Sequence, residues 1–500
     1  MDGIRAKSDV PAFARGVLLM MSLLLLVSGS GLAIDLARSG VLSFRPASFD
    51  INAARHLANI LSRASNQLTG VVFITVAFVV PLTANLYSLK FLEFFIRDPV
   101  NATVLTLAVL INLNNTVLNY LMKEDFVPIV SLHVEVGLVI LGFSLLFPYL
   151  YYIFRFLHPS TLLTRLEEEI GRHLQGAGRR SSPLAAHRRG MAEGLEHVAN
   201  IAIRSVDRLD RNTAIESVRV LERVAKAYGG LKSRLPPAWF EAEARLFLSF
   251  SSKAVEELNA TQTWAEMKLF SQLHQILGVA VPRMPDLTSS VAKALRRLGL
   301  EASARQDESL RELTVEYFNT FVRRAITARD IRAVFILFDQ YRILAEELNG
   351  EYPDLVLEIA GYFRYYGGVA RENQLTFVVE AIAHDLGALV QDAWTAGAAN
   401  REALLDVFLR YDGETGTLPG VKKAQALLAG YFLWAGKAEP VARIRASFRG
   451  LDKELLRSIR EDLLSVRREK YWEVNERRIN LDFVPEERRE KVREFFESLP

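Results

Sequence analysis

Four apolar stretches crowd the first 155 residues of this 500-residue chain, and the third, Thr103 to Met122, carries asparagine at 112, 114, 115 and 119. Backbone in hydrocarbon has no water to bond, so such stretches must close their own hydrogen bonds as helices. Each spans about 20 residues or more, enough for a core of roughly 30 Å. The spans read about Gly16 to Ile34, Gly70 to Leu89, Thr103 to Met122 and Ile129 to Phe154. For the first, a cleaved signal peptide is the rival reading, since a basic start and small residues near Ser30 to Ala33 suit it. Later spans of the same grade favour a retained helix.

Basic residues set the orientation. Arg5, Lys7 and Arg15 precede the first span, Lys90 and Arg97 lie between the second and third, and Arg155 and Arg165 follow the fourth. With four spans these share one side, which makes both termini cytoplasmic in an inner-membrane protein. The turn Lys123-Glu124-Asp125 then faces outward. Arg38, Arg45, Arg55 and Arg63 would also lie outside, and the spacing of Ile51, Leu57, Ile60 and Leu61 suggests a helix along the interface there.

Polar residues inside the spans are the candidate site. At 100° per residue Asn112, Asn115, Thr116 and Asn119 form one stripe and Asn114 points away from it. An amide in lipid needs a partner, so the stripe faces other helices, another subunit or water. Interhelical packing, a water-lined path and a span drawn in the wrong place are all open readings. Pro128 starts the fourth span, which puts Glu135 about 10 Å in, too deep to reach the interface comfortably. That carboxyl requires a partner or a proton. His133 lies on the opposite face, and the alternative is that both sit at the outer interface. Pro81, flanked by Thr83 and Asn85, can bend the second span and free a carbonyl.

Beyond Arg155 the lipid-grade runs stop. Ser160 is a candidate cap for a helix carrying Glu167 to Glu169, and Gly176 to Pro183 reads as a basic linker. Thr213–Glu216 and Thr263–Glu266 have capping-box spacing, and Pro485 opens a last helix to Glu497. Leu313, Tyr317, Phe318, Phe321 and Ile326 keep helical spacing, as do Val334, Leu337, Phe338, Tyr341 and Leu344. Breaks are expected at Asn349-Gly350, Gly367-Gly368, Gly413 to Gly416 and Gly436. With no fixed period and almost no strand alternation, an irregular stack of helical hairpins is expected, with a compact bundle second. Trp239, Trp264, Trp394, Trp434 and Trp472 are assigned to helix packing.

A formal charge of +3, with acidic and basic residues interspersed, argues against nucleic acid. Zero cysteines removes disulfides, thiolate zinc sites and cysteine nucleophiles. The eight histidines include no pair at metal-binding helical spacing, and Ser28 to Gly31 lacks the setting of a nucleophile elbow. His384-Asp385 is an adjacent acid–base pair. The expectation is a non-enzyme with no catalytic, cofactor or metal site.

The run Phe73 to Lys90 with FLEFFIRD, and the run Gly194 to Ala214, resemble the bacterial predicted membrane proteins grouped as domain of unknown function 2254. Phe73, Leu82, Tyr87, Ser88, Lys90, Arg97 and Asp98 occupy matching or similar positions in a pattern FSxTxxxLQLASSQFSPR followed by FLRD. Ser205, Asp210, Thr213 and Ala214 match the family's ALSPGINDPFTA, where Val206, Asp207, Leu209 and Arg211 replace its proline, glycine, asparagine and second proline. The resemblance covers roughly residues 61–228. It implies a four-span block with a cytoplasmic helical continuation, and no activity.

The expected architecture is therefore all-α, with a transmembrane domain at 1–158, a juxtamembrane helix and linker at 159–183, and a cytoplasmic helical domain at 184–500. Two functions compete. One is a membrane-tethered interaction or sensory module with a cytoplasmic protein partner; the other is a homo-oligomeric channel or transporter lined by the third span.

Overall fold

The computed structural model describes residues 26–27, 29–37, 50–86, 90–123, 126–179, 183–415 and 418–499, without the side chains of residues 79, 80, 82–86, 91 and 415. Most of the first expected span thus lies outside the described residues. Those described are all-α: no strand occurs among them, and the pairing of Lys123 with Phe126 is an isolated bridge. The chain divides into two compact units, Met1–Leu162 and Leu163–Pro500. The division falls at the start of a helix, ahead of the basic linker.

In the first unit, α1 (Ile51–Leu86) is one helix of 36 residues. The expected interfacial helix and second span are therefore continuous. Nothing between Leu61 and Thr69 breaks a helix, and a buried seam of Ala54, Ala58, Leu61, Ser65, Leu68 and Val72 recurs every three or four residues. That seam packs Ala54, Ala58 and Leu61 with Ile111, Leu132 and Val139, so this stretch is held within a bundle instead of lying along a surface. After α2 (Lys90–Arg97), α3 runs Pro99–Leu121 and α4 runs Ile129–Phe156. Gly142 of α4 lets α1 approach, since a Cβ there would stand 2.5 Å from Leu68 Cδ2. Four spans were expected. Among the described residues two helices, α3 and α4, are long and apolar enough to cross a membrane, and only 28% of the most apolar stretch of each is buried.

The second unit opens with α5 (Pro159–Ala177), α6 (Leu184–Asp207) and α7 (Arg211–Leu231). His158, not Ser160, occupies the cap of α5, its Nδ1 standing 3.3 Å from the Ser160 N–H. An irregular stretch with three short 3-10 turns then leads to α8 (Ser252–Ala260) and α9 (Trp264–Ala280). Next come α10 (Pro285–Ala304), α11 (Glu308–Thr327), α12 (Ile331–Leu348), α13 (Pro353–Glu372) and α14 (Thr376–Ala396). The chain continues through α15 (Arg401–Thr415), α16 (Pro419–Trp434), α17 (Ala438–Ala446) and α18 (Lys453–Ser465). Residues 466–485 form an irregular strap, and α19 (Glu486–Glu497) closes the described chain.

Successive helices pair as antiparallel hairpins, and alternate helices stack: α7, α10, α12, α14, α16 and α19 make one layer, and α9, α11, α13 and α15 the other. One turn recurs through this stack. A residue with positive φ, Leu209, Gln306 or Arg329, is followed by an aspartate whose N–H returns to the carbonyl five residues back, at 2.8, 2.9 and 3.2 Å. The same aspartates, Asp210, Asp307 and Asp330, then cap the next helix by accepting from Thr213, Leu310 and Ala333 N–H. A tight turn of this kind forces neighbouring helices antiparallel.

Both expected aromatic faces are buried, with Phe318 and Tyr341 stacked at 4.6 Å between α11 and α12. Neither capping box forms. Asp210 precedes Thr213 and takes its N–H first; the Thr263 hydroxyl bonds Thr261 at 2.8 Å, while Glu266 is buried against Lys232 at 2.7 Å. Gly367 and Gly368 do not break α13. The missing Cβ of Gly367 admits the Tyr411 ring, whose hydroxyl donates to the Val379 carbonyl at 2.7 Å. Gly413 likewise sits inside α15. Trp239 and Trp264 pack together as expected, whereas Trp434 and Trp472 are exposed.

Candidate functional site: the polar seam of α1, α3 and α4

The asparagines of α3 find partners inside the first unit. Asn112 Nδ2 donates to Asn66 Oδ1 of α1 at 2.6 Å, and the fully buried Asn115 donates to Ser65 Oγ at 3.3 Å. One turn along, Thr69 Oγ1 of α1 donates to the Ala108 carbonyl at 3.2 Å. Asn119 turns back to the Asn115 carbonyl at 3.2 Å, and Thr116 to that of Asn112 at 2.9 Å. The stripe is real as a face of α3, and α1 covers its buried edge. Thr116 remains exposed.

Asn114, off the stripe, has its own task. Its Nδ2 donates to Oε2 of Glu135 at 2.5 Å, clasping α3 to α4, while Oε1 of that wholly buried carboxyl has no partner. Glu135 and His133 part company: His133 is exposed, its Nδ1 at 2.8 Å from the Ile129 carbonyl on its own helix. Pro81 is exposed within α1, which continues through it to Leu86; the Thr83 and Asn85 side chains lie outside the described residues.

Sequence spacing missed two aspartates. Asp35, in the helical stretch 29–37, is buried and accepts from Val130 and Ser131 N–H at 3.0 and 2.9 Å and from Ser131 Oγ at 2.9 Å, capping α4 from a distant part of the chain. Asp98 caps α3 through Val100 and Asn101 N–H at 3.1 and 3.3 Å and also takes the Tyr152 hydroxyl at 2.7 Å. Asp98-Pro99 is a legible start signal, acid then proline at the first position. Asp35 carries no such signal, because it lies 95 residues from the Val130 N–H it caps.

The outer side of α1 beside these amides is polar too. Asn59, Arg63, Asn66 and Gln67 are exposed, alongside the exposed apolar residues Val109, Leu113 and Val117 of α3.

Ser205, Asp210 and Thr213, singled out by the family motif, build the recurring hairpin turn. The Ser205 carbonyl accepts from Asp210 N–H at 2.8 Å, and Leu209 takes φ 60° where the motif has asparagine. The turn forms here without proline or glycine. In the same unit, α5 and α6 bring His173 and His187 within 3.1 Å, Nδ1 to Nδ1; burial and the Arg179 charge hold His187 below the usual imidazole range. Among the described residues no group of three or more His, Asp or Glu side chains is placed to hold a metal ion.

No family model matches the chain, and no curated protein does. A solved structure described as a "circular tandem repeat protein with novel repeat topology and enhanced subunit contact surfaces" aligns over 90% of this chain and 96% of its own, at 14% identity and a TM-score of 0.26.

Proposed function

We propose that the chain is a multi-pass membrane protein that tethers a helical interaction or sensory module to the cytoplasmic face. The observation that carries this reading is the pairing of Asn112, Asn114, Asn115 and Asn119 of α3 inside the first unit, through Asn66, Ser65, Glu135 and their own helix. Amides consumed by helix contacts hold a bundle together and leave no open polar file within one chain. The exposed apolar flanks of α3 and α4 suit lipid contact, and the basic residues beside the spans suit four crossings with both termini cytoplasmic. The resemblance to domain of unknown function 2254 gives the same layout. The module's work then falls to the second unit.

Ion flux tests this. The purified chain in liposomes should leak no more than protein-free vesicles, and Glu135→Gln should change nothing in that assay. A second reading is favoured by the exposed Asn59, Arg63, Asn66 and Gln67 on α1, a face that lipid would not solvate and that a second copy or water could cover. Flux that responds to Glu135→Gln would overturn the tether and install the oligomeric path.

A further inference from the structure

The strap at 466–485 lies over α12, α14 and α16 and encloses a cleft of about 470 Å³. That volume is within the range of small-molecule sites. Its walls divide by chemistry. Phe335, Phe377 and Tyr471 supply an aromatic side; Glu380, His384 and Asp482 supply a polar end. Phe377, Glu380 and His384 share one face of α14, three and four residues apart.

The polar end holds two carboxylates, each with one oxygen already engaged. Glu380 Oε1 takes the Gly420 N–H at 2.9 Å, which leaves Oε2 open, and Asp482 Oδ2 takes Lys423 Nζ at 2.9 Å, which leaves Oδ1 open. His384, its side chain nine-tenths buried, makes no hydrogen bond, with Nε2 standing 3.7 Å from that Asp482 Oδ1. Burial holds its imidazole below the usual range, hence neutral at pH 7 and able to accept. The cation Lys423 is already shared between Asp482 and Asp462. Three helices begin at this cleft, an arrangement that by itself would draw an anion. Two of those starts already hold a carboxylate: Asp330 accepts from Ala333 N–H on α12, and Glu380 from Gly420 N–H on α16. Arg332, the other cation lining the cleft, is exposed at the first turn of α12, so the less exposed polar end presents mainly carboxylate oxygens to a donor.

We propose that this cleft binds a small aromatic amine, its protonated nitrogen donating into the acceptors Glu380, His384 and Asp482 and its ring lying against Phe377 and Tyr471. The site lies wholly within the second unit and adds to the tethered module a ligand that the module reading alone does not specify.

The test is calorimetric titration of tryptamine into the full-length protein in detergent, beside indole-3-propionate, which offers a similar ring and a carboxylate. Tryptamine should saturate one site, and indole-3-propionate should bind at least about tenfold more weakly, the scale of a charged hydrogen bond lost. Glu380→Gln, whose amide oxygen still caps Gly420, and Phe377→Ala, at a half-exposed ring, should each weaken tryptamine by about tenfold. Equal binding of the two probes, a tryptamine isotherm indifferent to both variants, or heat that never saturates would each overturn the proposal. Liposome flux bears on the tether alone, so the two can fail separately.

Discussion

Asn114 and Glu135 clasp α3 to α4 through one hydrogen bond. A buried carboxyl with one oxygen already unpartnered depends on the single amide that remains. Asn114→Leu should lower the unfolding free energy in detergent by about 1–3 kcal/mol, whereas Asn114→Leu with Glu135→Leu should recover most of the loss, because no orphaned polar group is left. Denaturant melts of the two variants check this, and equal melts would mean the clasp adds nothing. Helical periodicity was enough to set Asn114 apart from its neighbours. It could not name Glu135, since the register between two helices depends on how small residues such as Ala54, Ala58 and Gly142 let the bundle close. Asp35 was illegible for the same reason, and Asp98 was not, because its cap is local.

The elements of the second unit were largely legible as helices and poorly legible at their ends. Leu313 to Ile326 and Val334 to Leu344 fall on buried faces of α11 and α12 as their spacing requires. Glycine misled: Gly367 is in a helix because Tyr411 fills the room it leaves, a packing reason that leaves no local trace. The recurring turn was also hidden, because glycine, the usual mark of a left-handed residue, is absent from its three aspartate-capped copies. Leucine, glutamine and arginine stand there instead. That conformation costs an L residue about 1–2 kcal/mol. Leu209→Gly, at a side chain 70% exposed, should therefore stabilise the protein by up to about 1 kcal/mol after the added freedom of the unfolded chain is counted. An unchanged or lowered denaturation midpoint would show that Leu209 is held by contacts beyond its backbone.

At the scale of the whole second unit, one side chain joins distant parts of the stack. Arg477 of the strap is 2% exposed, pairs with Asp385 of α14 at 2.6 and 2.9 Å, donates to the Phe335 carbonyl of α12 at 2.8 Å and lies over the Phe335 ring. Arg342 also reaches Asp385, at 3.2 Å, so the carboxylate keeps a partner if Arg477 is lost. Arg477→Met should cost about 2–4 kcal/mol, near the lower end for a broken buried pair, and should open residues 466–485 to protease before the helices. Uniform cleavage across the stack would contradict that order. His384-Asp385, an acid–base neighbour pair visible in sequence, is thus split by the fold: Asp385 anchors the strap while His384 faces the cleft.

Stacked hairpins are ordinarily free to gain or lose members, since each touches only its neighbours. The strap removes that freedom from one stretch. A hairpin duplicated before Phe335 would lengthen the stack and leave the Arg477 anchor untouched, but one inserted between Phe335 and Arg477 would ask a strap of fixed length to reach further than it can. The region from α12 to α16 should accordingly hold its helix number among descendants of this chain, and the hairpins ahead of it should be where such descendants vary.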